Sequence, residues 1–363
     1  MDKIQEQIKA LEDELRTTKY NKRTQHHIGL VKAKLARLKD KSEARSSGGK
    51  GLGYSIKKTG DGTVVMAGFP SVGKSTLLNQ LTNAESKTAA YEFTTLTAVP
   101  GLMMHRSARI QILDVPGLIK GAAQGSGRGR EVISVVRSAD LVMILLDVNN
   151  LSQYEVLRKE LEDANIRLDQ ARPDVKIVKA ARGGIQVAAT RKLTHLEEPT
   201  IIGILQEFHI SNAQVLVRED VAAEQLIDVI EGNRLYLPSI VVVNKIDLTT
   251  EARLKAARRK LPEAVFVSAE DGTGIDELKD RLFEKLQLMR VFLKEPGRKA
   301  DLDEPMIIRK DSSVEDVCNK LHRDFRAKFR FARVWGRSAK FPGQKFRLSH
   351  VLKDEDVLQI VLS

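Results

Sequence analysis

The chain has 363 residues, 42% of them apolar and 30% charged, which excludes a mostly disordered or fibrous polypeptide and suits two or three domains. No stretch approaches about 18 uninterrupted apolar residues and residues 1–10 hold no apolar leader core, so neither a membrane span nor a secretory signal is expected. The net charge of +12 is unevenly placed, with +8 on residues 1–60, +5 on residues 291–363 and a near-neutral middle; basic ends of this kind predict a surface that meets nucleic acid. The single cysteine, Cys318, has no internal partner, which predicts a reducing, cytoplasmic setting.

In chain order, Ile4, Ile8, Leu11 and Leu15 recur at helical spacing and predict an amphipathic helix over 2–20. After a polar break at 21–24, Ile28, Val31, Leu35 and Leu38 predict a second, basic helix, so that the two form a hairpin or short coiled coil. The Ser- and Gly-rich run at 46–53 reads as a flexible linker, closing an N-terminal domain at about residue 60.

From residue 61 the pattern is strand–helix alternation, with buried-strand runs at 63–67, 109–113, 141–147, 239–243 and 264–267. Helical patterns at 75–81, 130–138 and 275–288 lie between or after them, which predicts an α/β domain on a parallel sheet covered on both faces. The interval between Asp147 and Ser239 is too long for a loop. It is read as an inserted α+β subdomain over 166–236, so the α/β domain spans 61–165 and 237–290. Residues 291–363 combine strands at 305–308, 329–335 and 357–362 with a helix at 314–325, the pattern of a β-grasp module.

The strongest chemical signal is Gly68-Phe69-Pro70-Ser71-Val72-Gly73-Lys74-Ser75, followed by Thr76. It matches G-x-x-x-x-G-K-[ST] between a predicted strand and a predicted helix, the context of a P-loop. Its backbone N–H groups can wrap phosphates at a helix N-terminus, with Lys74 reaching the β- and γ-phosphates and the Ser75 hydroxyl ligating Mg²⁺. Asp114-Val115-Pro116-Gly117 follows another strand; there Asp114 can hold Mg²⁺ through water and the Gly117 amide can sense the γ-phosphate.

Asn244-Lys245-Ile246-Asp247 ends a further strand. The Asp247 carboxylate can accept two hydrogen bonds from the guanine edge, a donor pair that adenine lacks, so GTP and GDP are the expected substrate and product. The Lys245 stem can cover one face of the base, and Ser268-Ala269 suits backbone contacts to its oxygen. Between the first two motifs, Thr94, Thr95 and Thr97 are all candidates to join the metal when the γ-phosphate is present. Many GTPases place a glutamine after the D-x-x-G glycine to orient the attacking water; here the residue is Leu118, so slow intrinsic hydrolysis is expected. The Gly-rich run 121–130, with Arg128 and Arg130, reads as a second switch.

These residues together resemble the developmentally regulated GTP-binding proteins, a branch of the Obg-related GTPases, over nearly the whole chain. The resemblance rests on Asn21-Lys22, His26-His27, the P-loop, Ala90-Tyr91-Glu92-Phe93-Thr94-Thr95-Leu96-Thr97, Gly127-Arg128-Gly129-Arg130, Ile230-Glu231-Gly232-Asn233-Arg234 and Val334-Trp335-Gly336. The compact length resembles an archaeal member. The family implies a Ras-like GTPase domain with an N-terminal helical hairpin, an inserted S5-like subdomain and a C-terminal TGS domain of β-grasp type. It implies Thr95 as the metal-ligating threonine and a role near ribosomes and translation, with ribosomal RNA and a stabilising or activating protein as the expected partners. Some relatives take potassium through a P-loop asparagine; that position is Ser71 here, so a monovalent-cation requirement stays an open expectation.

Between Lys320 and Arg347 lie ten basic residues and one acidic, interleaved with Phe325, Phe329, Phe331, Trp335, Phe341 and Phe346. The basic residues are candidates for RNA contact, while most of the aromatics are expected in the module's core. No DNA sequence specificity is expected. An RNA- or ribosome-binding scaffold with a structural nucleotide is the competing reading, and an ATPase is disfavoured by the Asn-Lys-Ile-Asp segment.

Overall fold

The computed structural model describes residues 3–19, 21–46, 59–82, 99–114 and 135–362. Its contacts divide the chain into two units, Met1–Gly53 with Leu161–Tyr236, and Tyr54–Glu160 with Leu237–Ser363.

In the first unit, α1 (Lys3–Thr17) and α2 (Gln25–Ser46) are joined by a turn in which the Asn21 Oδ1 accepts the Arg23 and Thr24 amides at 2.9 and 3.0 Å. The polar break read from the sequence is this turn. The inserted segment contributes β6 (Val175–Lys179), β7 (Ile185–Ala189), α6 (Glu198–Glu207), β8 (Ala213–Val217) and α7 (Ala223–Glu231). β8 lies between antiparallel β6 and parallel β7. The short strands β5 (Ile166–Leu168) and β9 (Leu235–Leu237) pair with each other. Ala33 of α2 is buried with Ile201, Ile204 and Leu205 of α6 and Leu226 of α7. Gly29 and Gly203 permit the close crossing of α2 and α6, because a Cβ on either would stand 2.9 or 2.8 Å from the facing side chain. The hairpin and the insertion, separate in the sequence reading, thus share one core: an amphipathic hairpin must bury its apolar stripe somewhere.

A charged network holds the end of α7. Asp228 accepts Arg167 Nε and Nη2 at 2.8 and 2.9 Å and Arg234 Nε at 2.7 Å. Gly232, at φ 64°, turns the chain so that Arg234 returns to Asp228 and to Glu231.

The second unit is built on β1 (Gly62–Gly68), α3 (Lys74–Thr82), β2 (Val99–His105), β3 (Ala108–Asp114), α4 (described over 135–138), β4 (Leu141–Asp147) and α5 (Gln153–Asp163). It continues through β10 (Ser239–Asn244), α8 (Glu251–Lys260), β11 (Val265–Phe266) and α9 (Ile275–Lys285). The six strands run in the order β11-β10-β4-β1-β3-β2. All neighbours are parallel except β2, which pairs antiparallel with β3 at the edge; this strand was missed in the sequence. On one face Val64, Met66, Ile112 and Leu145 meet Leu77 and Leu81 of α3 and Leu278 and Leu282 of α9. On the other, Val148, Val243 and Phe266 meet Ala257 of α8. Burial on both faces explains why β1 and β4 read as continuous apolar runs.

The C-terminal sheet has the order β13-β12-β16-β14-β15. It is made of β12 (Leu288–Leu293), β13 (Met306–Arg309), β14 (Phe329–Trp335), β15 (Gln344–Phe346) and β16 (Asp356–Leu362). α10 (Val314–Leu321) lays Val314, Val317 and Cys318 against Ala332, Val334 and Leu358.

Two sequence-based boundaries are corrected. The helix expected over 275–288 ends at Lys285; Gln287 takes φ 52° and Leu288 opens β12, a strand for which the sequence predicts no element. The helix expected over 314–325 is broken at His322, which is extended at φ −169°, ψ 147°, between α10 and α11 (Arg323–Ala327). Arg309 ties this module to the base of the parallel sheet through Asp140 at 3.1 Å, and Lys320 does so through Asp61 at 3.5 Å. No helix among the described residues is long and apolar enough to cross a membrane.

Candidate nucleotide site

The sequence places a fully buried strand, β1, immediately before the glycine-rich loop, and α3 immediately after it. The first-turn amides of α3 have no intrahelical partners and are available to an anion. Gly73, at φ 94°, adopts a conformation that side chains rarely take, and a Cβ there would stand 2.3 Å from Asn244 Nδ2. The glycine is therefore required both by the turn and by what lies beside it.

Asn244, at the end of β10, is buried and bonds at both ends of its amide. Nδ2 donates to the Val72 carbonyl and Oδ1 accepts the Ala269 N–H, both at 2.9 Å. The P-loop, the Asn-Lys-Ile-Asp segment and the Ser268-Ala269 segment are thereby joined. One detail differs from expectation: the Ala269 N–H, expected to face a base oxygen, donates to Asn244 instead. Ser268 is fully buried and its Oγ accepts the Asp271 N–H at 3.3 Å.

Lys245 takes φ 66° and sends its Nζ to the Ser71 carbonyl at 2.6 Å and to Asp147 Oδ2 at 3.0 Å. Burial acts against ionisation of Asp147, but the Asn149 N–H and the Lys245 ammonium outweigh it and hold its carboxyl below the usual range. Asp147 was not singled out in the sequence; the only signal was an acidic residue closing the buried strand β4. Asp247 lies exposed on a 3₁₀ turn, Ile246–Leu248.

Lys74 donates to the Gly68 and Phe69 carbonyls at 3.1 and 2.9 Å. Burial lowers its pKa, with the Asp114 carboxylate opposing. Asp114 ends β3, 8% exposed. Burial raises its pKa, while Lys74 and a hydrogen bond with Ser75 oppose that rise. Among the described residues its buried Oδ1 has no hydrogen-bond partner, a costly arrangement unless something else binds there. Ser75 and Thr76 are exposed on the first turn of α3, and Pro70 and Ser71 on the loop. A hydroxyl beside a carboxylate with an orphaned oxygen fits a hard divalent cation. Thr95, Val115, Pro116 and Gly117, together with Leu118 and the 121–130 run, lie outside the described residues.

A family model described as a 50S ribosome-binding GTPase matches residues 63–179. One described as the C-terminal region of the MMR_HSR1 domain matches 182–288, and a TGS domain model matches 289–362. The chain is 53% identical to an uncharacterized GTP-binding protein of Methanocaldococcus jannaschii, over 99% of this chain and 93% of that one. It is 44% identical to developmentally-regulated G-protein 3 of Arabidopsis thaliana, over 99% of both chains. With developmentally-regulated GTP-binding protein 2 of Homo sapiens it shares 43%, again over 99% of both.

Proposed function

Because the chain belongs to the family of developmentally regulated GTP-binding proteins, we propose that it is a slow GTP-hydrolysing switch that acts on ribosomes in the cytoplasm. The observation that carries this reading is Asn244, which bonds the phosphate loop to the segment that precedes the base-reading Asp247 and to Ala269. Phosphate recognition and base recognition are then parts of one rigid assembly.

On binding GTP, Lys74 exchanges its bonds to Gly68 and Phe69 for the β- and γ-phosphate oxygens. Asp247 accepts the guanine ring N–H and exocyclic amine, while the Lys245 stem, anchored by Ser71 and Asp147, lies against the base. Ser75, Asp114 and Thr95 are the residues that would hold Mg²⁺, which when bound neutralises charge on the β- and γ-oxygens. The Gly117 amide meets the γ-phosphate. Water attacks the γ-phosphorus, the bond to the β–γ bridging oxygen breaks, and GDP and phosphate leave. Leu118 has no group to orient that water. The isolated chain should therefore turn over at about 10⁻⁴–10⁻² s⁻¹, the scale of unassisted switch GTPases, and a ribosome or protein partner should accelerate it.

The basic ends and the description of the matching GTPase model support the ribosomal part of the reading. Turnover with and without ribosomes, and co-sedimentation with GDP, a non-hydrolysable GTP analogue or no nucleotide, test it. Ribosome binding that ignores the nucleotide, with no turnover, would favour the scaffold alternative. Replacing potassium by sodium in the same assay tests whether Ser71 serves where relatives use asparagine.

A further inference from the structure

The six aromatics between Lys320 and Arg347 do not share one environment. Phe325, Phe329 and Phe346 pack against the core of the C-terminal sheet. β14 alternates, with Ala332 and Val334 buried in that core while Phe331, Arg333 and Trp335 face the other way. Across the strand pair, Arg333 stands in register with Lys345 of β15.

Both of these rings carry cations. Lys345 Nζ lies 4.7 Å and the Arg333 guanidinium 5.8 Å from the Phe331 ring centre, and Lys294 Nζ lies 4.6 Å from that of Trp335. Among the described residues, none of these three cations forms an ion pair with a carboxylate. By contrast, neighbouring Arg290 is held by Asp354 at 2.7 Å and Glu355 at 2.8 Å, and Arg326 by Glu315 at 2.7 Å. Like charges directly opposite on a strand pair destabilise the sheet, so the Arg333–Lys345 pair is a cost that a bound polyanion would relieve. Trp335 is held in place: Gly343, at φ 74°, runs so close that a Cβ there would stand 3.1 Å from three indole atoms.

We propose that the outer face of this sheet, presented by Phe331, Trp335, Arg333, Lys345 and Lys294, binds single-stranded RNA, its rings stacking on unpaired bases and its cations holding the flanking phosphates. Phe331 and Trp335 are four residues apart, about 13 Å along an extended strand, which two bases of a splayed strand can span. Aromatic rings interleaved with cations recognise single strands without reading sequence, because every base has a stacking face. The choice of RNA over single-stranded DNA rests on the ribosomal reading above.

Trp335 is the only tryptophan in the chain, so its emission reports directly on stacking. The full-length protein is titrated with single-stranded oligouridylate and oligoadenylate. Expected are quenching of Trp335 and binding that weakens with salt. Phe331→Leu should weaken binding about tenfold, within the range for loss of one stacked base. Arg333→Gln with Lys345→Gln should reduce the salt slope by about 0.7 for each phosphate that these cations no longer neutralise. GTP affinity in each variant should match wild type, and an unchanged circular-dichroism melt with wild-type Trp335 emission before titration shows that the C-terminal sheet itself is folded. Unchanged emission, equal quenching by duplex RNA, or displacement by polyglutamate at equal charge would overturn the stacking site, and tighter binding of DNA oligomers would overturn the choice of RNA. If the oligomers bind here but ribosomes neither sediment with the protein nor stimulate turnover, the ribosomal reading fails and the site stands. If ribosomes bind Phe331→Leu and wild type alike and emission never changes, the site fails and the ribosomal reading stands.

Discussion

Asn244 Nδ2 donates to the carbonyl of Val72, 172 residues earlier in the chain, at 2.9 Å. The same amide accepts from Ala269, so one buried side chain fixes the distance between the glycine-rich loop and the ends of β10 and β11. Asn244→Ala would leave a buried carbonyl and a buried N–H without partners, at about 1–3 kcal/mol each. The variant should melt at a measurably lower temperature, and nucleotide titration should show weakened GTP binding. Wild-type affinity would mean that the two loops hold their positions without it.

Asp247 is exposed on its 3₁₀ turn, Ile246–Leu248. Asp247→Asn should lose the charge-assisted pair to guanine, about 2–4 kcal/mol, and should favour xanthosine triphosphate. Competition between the two nucleotides for the variant measures the change; retained preference for GTP would remove Asp247 from base recognition.

In the proposed mechanism Ser75 and Asp114 hold the metal. Ser75→Ala removes the hydroxyl that meets Asp114 and should abolish the Mg²⁺ dependence of GTP affinity, measured with and without chelator. Turnover should fall to background while the C-terminal module, with its own core, stays folded. Lys74→Ala should abolish turnover as well, since no other side chain on the loop carries a charge.

Glu231 makes the first unit sensitive to pH. Burial pushes its pKa up to about 7; Arg234 opposes this, and the charges of Asp40 and Asp228, with a hydrogen bond donated by the protonated Glu231 to Asp40, add to it. An unfolded glutamate titrates near 4.5, so as pH rises from there the unfolded state releases its proton first. Stability is therefore present below about pH 4.5 and is lost progressively up to about pH 7. Glu231→Gln should raise the melting temperature at pH 8 and change it little at pH 5. Each kcal/mol recovered corresponds to about 2–4 °C in a domain of this size. An equal shift at both pH values would mean the effect is packing rather than charge.

The chemistry of the site was legible in the sequence because its recognition elements are short and local. Eight consecutive residues, Gly68 to Ser75, specify a phosphate loop wherever a strand precedes and a helix follows them. Asp114 was likewise found because it ends a strand that reads as buried on both faces, and Asp247 because its four-residue motif closes another such strand. The partners that join these segments were not legible. The pairing of Asp147 with Lys245, and the two bonds of Asn244, link strands that become neighbours only when β10 lies beside β4 and β11. The same holds for the shared core of α2 with α6 and α7, whose close crossing depends on Gly29 meeting Thr200 and Gly203 meeting Leu30. β12 has no distinct signal in the sequence because a short apolar run fits a helix end as well as a strand, and the turn at Gln287 decides between them. The aromatics of 320–347 could be counted in the sequence, but their faces could not be sorted. The break at His322 sets Phe325 apart on its own short helix, and the pairing of β14 with β15 and β16 puts Phe331 and Trp335 on one side and Ala332 and Val334 on the other. Local motifs carry their chemistry in residue type and spacing, whereas which side of a sheet faces the core is settled only when the strands find their partners.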